Sequence, residues 1–192
     1  SAVIGTKGKV FADERIHRSI VDALTLAGSD YIFFKHNNIE SLENLLLKHK
    51  DIKRKFIITE GAFSMDGDIC PLPEIIELKK KHGAFLIVDE AHSFGVLGKS
   101  GRGIDEYFNI NDSSIDIITG SLSKAIPANG GFVASSRAMI VYLQHEGAAF
   151  VFSGSLCPPA AAAAITSLKI IKNEKWRLNK LAENSASLKK II

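Results

Sequence analysis

Two stretches of this 192-residue chain carry residue types suited to covalent chemistry. The first is Phe85-Leu86-Ile87-Val88-Asp89-Glu90-Ala91-His92, an apolar strand that delivers an acid and then a histidine at its end. The second is the apolar run Ile115 to Thr119, which leads into Gly120-Ser121-Leu122-Ser123-Lys124-Ala125, a lysine among small residues. An amine, a carboxylate and hydroxyls are the groups that hold pyridoxal 5'-phosphate. The amine forms a Schiff base with its aldehyde, the carboxylate pairs with its pyridine nitrogen, and hydroxyls bind its phosphate. The residues point to an enzyme that uses this cofactor.

Each of these residues has an ordinary alternative. A lysine is usually solvated, and it becomes a useful amine only when burial or a neighbouring cation lowers its pKa. Gly120, Ser121, Ser123 and Ala125 favour the functional reading of Lys124, because small residues after a buried strand let the backbone approach a ligand closely. Asp89 follows a run too apolar to face water on either side, as in a buried parallel strand. Ligands of open α/β sheets bind at that end of the strands. The alternative for Asp89 is a cap on the following turn, and for His92 a purely structural histidine.

The positioning elements follow from alternation. Strand candidates are Lys9 to Ala12, Tyr31 to Phe34, Phe56 to Thr59, Phe85 to Val88, Ile115 to Thr119 and Phe132 to Ala134. Between the early ones lie helix-period segments: Ile16, Ile20, Val21 and Leu24; Leu42, Leu45 and Leu46; Ile75, Ile76 and Leu78. Gly28 and Gly83 sit where helix C-terminal glycines belong, and Pro73 where an early helical proline is tolerated. The expected fold class is α/β, a three-layer α/β/α arrangement around a mainly parallel sheet.

Thr59-Glu60-Gly61-Ala62-Phe63-Ser64-Met65-Asp66-Gly67-Asp68, then Val88 to Gly98 with Gly101-Arg102-Gly103, then Gly120 to Ala125 with Gly130-Gly131, together resemble the α-oxoamine synthase family. The family belongs to the aspartate-aminotransferase fold, and the resemblance runs in order from about Asp13 to about Pro159. It implies a PLP-transferase large domain over residues 1–160, incomplete at its N-terminus, and a helical connection over 161–192 toward a small C-terminal domain absent from the chain. His17 matches the histidine that stacks on the cofactor ring, Ser64 a hydroxyl near its phenolic side, and Asp89 the pyridinium partner. His92 matches the histidine near the phenolic oxygen, Ser121 a phosphate-binding hydroxyl, and Lys124 the Schiff-base lysine. Ser153-Gly154-Ser155 resembles the segment that reaches the neighbouring subunit's phosphate, which implies a homodimer with shared active sites.

The implied reaction is decarboxylative condensation of an amino acid with an acyl-CoA to give an aminoketone. An aminotransferase, or a noncatalytic subunit of a heteromeric synthase, is the alternative. Two positions depart from the family pattern: Pro127 follows Lys124 where glycine is frequent, and Gly154 stands where threonine is common. Family members are also much longer, with a glycine-rich turn before the equivalent of Ser1, so the chain reads as part of a longer protein.

Composition narrows the function classes. Lys and Arg number 24 against 21 Asp and Glu, and the resulting net +3 is too small and dispersed for nucleic-acid binding. The basic run Lys48 to Lys55 lacks the interleaved aromatics of a base-stacking surface. Cys70 and Cys157 show no paired spacing for zinc and no disulfide framework, and no metal is expected. No apolar stretch is uninterrupted enough to span a membrane; Pro158 to Ile171 is broken by Thr166, Ser167 and Lys169. A cytoplasmic location is expected. Gly95-Val96-Leu97-Gly98-Lys99-Ser100 imitates the end of a P-loop, but Ser93 replaces its first glycine, and Gly101 and Gly103 disfavour the helix that must start at the lysine.

Overall fold

The computed structural model describes residues 2–110 and 112–191 of the chain. Its sheet holds β1 (Lys9–Asp13), β2 (Asp30–Phe34), β3 (Lys55–Glu60), β4 (Phe85–Asp89), β5 (Ile117–Ser121) and β6 (Gly131–Ser135). The strand order is β2-β1-β3-β4-β5-β6, parallel except for the antiparallel pair β5–β6. Parallel neighbours need a crossover of a dozen or more residues. The segment 122–130 between β5 and β6 is shorter than that, so the last strand turns back.

Alternation along the strands sends side chains to two cores. Phe11, Ile57, Leu86 and Val88 pack with Leu42 and Leu46 of α2 (Ile39–Lys48) and with Leu72, Ile75 and Leu78 of α3 (Leu72–His82). Val10, Ala12, Phe56 and Ile58 face the other way, onto Ile4, Ile16 and, from α1 (Arg18–Leu26), Leu24. Fully burying each such side chain contributes ~1.5–3 kcal/mol, so the two-sided burial fixes the three layers expected from the sequence. The helix ends agree with their capping residues: Gly83 is left-handed at φ 60° after α3, and Pro73 lies in its first turn.

The other strands run a residue beyond the expected bounds at one or both ends, and β5 is shifted as a whole. β5 starts two residues after Ile115, which is buried ahead of it, and runs through Gly120 and Ser121. The extension pairs Gly120 with Phe132 and Ser121 with Gly131. A Cβ on Gly120 would strike the Phe132 ring, and one on Gly131 would lie 2.8 Å from the Gly120 carbonyl oxygen. These small residues therefore extend the ladder beyond the expected strand end at Thr119. The change from sheet domain to helical connection expected at residue 160 falls inside α7 (Pro158–Asn173). The expected helical connection continues as α8 (Trp176–Leu188); its last residue, Ile192, lies outside the described residues, as does Ser1. The remaining helices are α4 (Ile104–Tyr107), α5 (Arg137–Glu146) and α6 (Ala148–Val151).

Candidate active site

Strand register builds the floor of the site. Glu60 pairs with Asp89 across β3 and β4, and Asp89 pairs with Thr119 across β4 and β5. Three polar residues thus form one row at the carboxyl ends of neighbouring parallel strands, on the face that carries α1. A cleft of about 390 Å³ opens over this row, lined by His17, Ser19, Glu60, Asp89, Ala91, His92, Thr119, Gly120, Ser121, Ser123, Lys124 and Gly130. His17 reaches it as the N-cap of α1, where its Nδ1 accepts from the Ser19 amide at 3.3 Å and meets the Ser19 hydroxyl at 2.8 Å. Ser121 and Ser123 hydroxyls lie 2.8 Å apart, and the Ser123 amide donates to Ser121 Oγ at 3.1 Å.

Charge is concentrated under the floor. Glu60 is 3% exposed and accepts the backbone N–H of His17. Burial, reinforced by Asp89, pushes its carboxyl up to about 7 despite that bond. His92 sits with Nδ1 3.6 Å from Glu60 Oε2, and that nitrogen is buried without a hydrogen-bond partner in the described structure. Burial and the nearby Lys124 ammonium lower the His92 pKa. Asp89 Oδ1 accepts from the Ala91 amide at 2.8 Å. The turn-capping alternative for Asp89 is therefore real, and it coexists with a place in the cleft.

Of the sequence-predicted site residues, the structure brings His17, Asp89, His92, Ser121 and Lys124 together. Lys124 is exposed among the residues that line the cleft. Ser64 does not join them. It is exposed on the turn closed by bonds from the Phe63 amide to the Asp68 carbonyl and from the Gly67 amide to the Phe63 carbonyl, and does not line the cleft. Ser153 and Ser155 line a separate cavity of about 980 Å³ with Phe150, Leu156 and Ile140, adjoining the cleft at Thr119, Gly120 and Gly130.

Glu60, Thr119, Ser123 and Ser19 were missed by the sequence reading. Glu60 carried a usable signal: like Asp89, it is an acid at the end of an apolar strand.

A second acid explains why Gly103 is a glycine. Glu90 is buried, and it accepts from the Ile104 amide at 2.9 Å and from the Ser93 hydroxyl. Burial lifts its pKa to about 7. A Cβ on Gly103, whose φ is 118°, would come within 2.6–2.8 Å of this carboxylate. The P-loop imitation has no helix at Lys99; the Ser100 amide and hydroxyl donate instead to Glu106 at 2.9 and 2.7 Å.

An amine, a carboxylate, two imidazoles and paired hydroxyls around one cleft can together hold an anionic, aldehyde-bearing ring. Known proteins agree with that chemistry. The family model "Aminotransferase class I and II" matches residues 2–192. An 8-amino-7-oxononanoate synthase of Thermoanaerobacter pseudethanolicus is 44% identical over 98% of this chain and 48% of its own length. A serine palmitoyltransferase of Bacteroides thetaiotaomicron is 44% identical over 91% of the chain and 44% of its own length. Among solved structures, a serine palmitoyltransferase from S. paucimobilis with bound PLP-myriocin aldimine superposes with a TM-score of 0.91 at 33% identity, over 96% of this chain and 46% of that one. The chain spans about half the length of the relatives it matches. With the family model matched from residue 2 to residue 192, the chain belongs to the aminotransferase class I and II family, with 8-amino-7-oxononanoate synthases and serine palmitoyltransferases as relatives.

Proposed function

We propose that the protein containing this chain is a pyridoxal 5'-phosphate-dependent acyltransferase of the α-oxoamine synthase type. The observation that carries the reading is the convergence of Asp89, Lys124, His17, His92 and the Ser121–Ser123 hydroxyl pair on one cleft, in a chain with these relatives. The donor set fits the cofactor: a carboxylate at a strand end for the pyridine nitrogen, hydroxyls for the phosphate, and an amine for the aldehyde. When bound, the cofactor supplies an electron sink for the α-carbon of an amino acid.

The chain's own residues do the rest. Asp89 would pair with the ring nitrogen, His17 would offer a flat face to the ring, and His92 would supply a hydrogen bond on its phenolic side. Lys124 Nζ takes and returns the proton at the substrate α-carbon. The α-carbon then bonds to the acyl carbonyl of an acyl-CoA, the carbon–sulfur bond breaks to release CoA thiol, and the amino acid carboxylate leaves as carbon dioxide. A proton replaces it, giving an aminoketone.

The working enzyme in this reading is a cytoplasmic homodimer, with Ser153 and Ser155 turned to the neighbouring subunit's phosphate. No helix among the described residues is long and apolar enough to cross a membrane. The test uses the full-length protein with glycine, alanine or serine and a panel of acyl-CoAs. Release of free thiol matched by carbon dioxide is expected. Efficient transfer of the amino group to a keto acid, with no thiol released, would replace the assignment by an aminotransferase.

A further inference from the structure

The Ser64–Asp68 turn stands outside the cleft, yet charged groups tie it to the segment that carries His17. His36, just beyond the end of β2, has a side chain only 13% exposed. Its Nδ1 lies 2.9 Å from Asp13 Oδ1 at the end of β1, and its Nε2 lies 2.7 Å from Asp68 Oδ2 on the turn. A neutral imidazole has one N–H and can donate to only one of them. The doubly protonated ring donates to both carboxylates, whereas a neutral ring would leave one of its nitrogens to accept, at Nε2 from Asn37 Nδ2 3.3 Å away.

The same carboxylates order the backbone on either side. Asp13, fully buried, also accepts the Arg15 amide at 2.9 Å through Oδ1 and the Asn37 amide at 2.9 Å through Oδ2. Asn37 Nδ2 donates to Asp68 Oδ2 at 2.7 Å. Glu14 accepts the His36 amide at 3.0 Å, and Arg15 forms an ion pair with Asp66. Phe63 closes the remaining side, with its ring edge-on to His36 at 4.5 Å.

We propose that His36 is a positioning residue: as an imidazolium between Asp13 and Asp68 it clasps the Ser64–Asp68 turn onto residues 13–17 and so fixes where His17 enters the cleft. The significance for His17 rests on the proposed function, whereas the clasp stands on its own geometry. The charged groups facing the ring are Asp13 from β1, Asp68 from the turn, Glu14 through the backbone, and the Arg15–Asp66 pair beside them. Burial opposes the ring's charge, but the bonds to Asp13 and Asp68 outweigh it and raise the pKa above the ordinary 6.5. For a raised histidine the stabilisation is complete below the ordinary value and is lost as pH rises through the raised one. The clasp accordingly loosens on the alkaline side.

The test follows the His36 ring by NMR titration of the full-length protein, with hydrogen exchange at the Arg15 and Asn37 amides. His36 should titrate above ordinary histidines, and Asp68→Asn, which keeps the shape and removes one carboxylate, should lower its midpoint. Exchange at both amides should quicken about tenfold in Asp68→Asn, the scale of one charge-assisted hydrogen bond. His36→Gln should raise the apparent dissociation constant for pyridoxal 5'-phosphate and flatten the alkaline loss of binding, while His36→Ala with the same residual pH dependence as wild type would count against the clasp. An ordinary or depressed His36 midpoint, unmoved by Asp68→Asn, would overturn the proposal even if the cofactor binds. A high midpoint in a protein that binds no cofactor would leave the clasp standing and remove the proposed function.

Discussion

Glu60→Gln isolates the acid that the strand register places beside Asp89. In the folded chain its carboxyl titrates at about 7, against 4.5 for an exposed glutamate, chiefly because it is buried. That difference corresponds to ~3 kcal/mol against the charged form. The sign follows from proton uptake. Between pH 4.5 and 7 the folded protein keeps a proton that the unfolded chain has released, so stability falls as pH rises through this window. Above pH 7 both states are ionised, and the deficit stays at its full value. Glutamine keeps an oxygen to accept the His17 N–H and carries no charge, so the variant should match wild type near pH 4. It should then gain on wild type as pH rises, by up to ~3 kcal/mol at pH 8. Urea denaturation of both proteins without added cofactor, from pH 4 to 8.5, gives the difference curve. Because Glu90 also titrates at about 7, only the difference between the two proteins is diagnostic. A flat difference curve would refute the assignment of the raised pKa to Glu60.

Three other outcomes can be checked independently. Lys124→Ala should abolish turnover and borohydride fixation of the cofactor while changing folding stability by less than ~0.5 kcal/mol, since the side chain is exposed; fixation on a peptide lacking residue 124 would exclude Lys124. Asp89→Asn, which can still accept the Ala91 amide, should slow deuterium exchange at the substrate α-carbon about a hundredfold, a barrier increase of ~3 kcal/mol. An unchanged exchange rate would remove Asp89 from its role. Gly103→Ala places a methyl against the Glu90 carboxylate at a positive φ, so a loss on the order of 3 kcal/mol is expected in denaturant unfolding. A variant within error of wild type would contradict that packing.

The layered fold was legible because its causes are local. Runs such as Phe85 to Val88 can be buried only on both faces, and the intervening periodicity of Ile75, Ile76 and Leu78 supplies the covering helices. Asp89 and Lys124 could be read because each follows such a run. Glu60 could have been read in the same way, but it sits within Thr59 to Asp68, a segment interpreted through Ser64 instead. Ser64 lies on a turn tied to the rest of the chain by contacts far apart in sequence, His36 with Asp13 and Asp68 and Arg15 with Asp66, which no local pattern encodes. The end of β5 was misplaced because Gly120 reads as a residue beyond the strand, whereas its missing side chain makes room for Phe132 across the ladder.

Asp89 and Glu90 are adjacent acids with opposite destinations, one open to the cleft and the other sealed against Ser93 and Ile104. Their roles are assigned by parity alone, since successive strand residues point to opposite faces. Inserting or deleting one residue within β4 would exchange them, sending the acid with the turn-capping bond inward and the buried anchor out over the cleft. The alternating Phe85-Leu86-Ile87-Val88 run therefore acts as a reading frame for the chemistry that follows it. A two-residue change would restore the facing of the acids but shift them about 7 Å along the strand, beyond the row they share with Glu60 and Thr119.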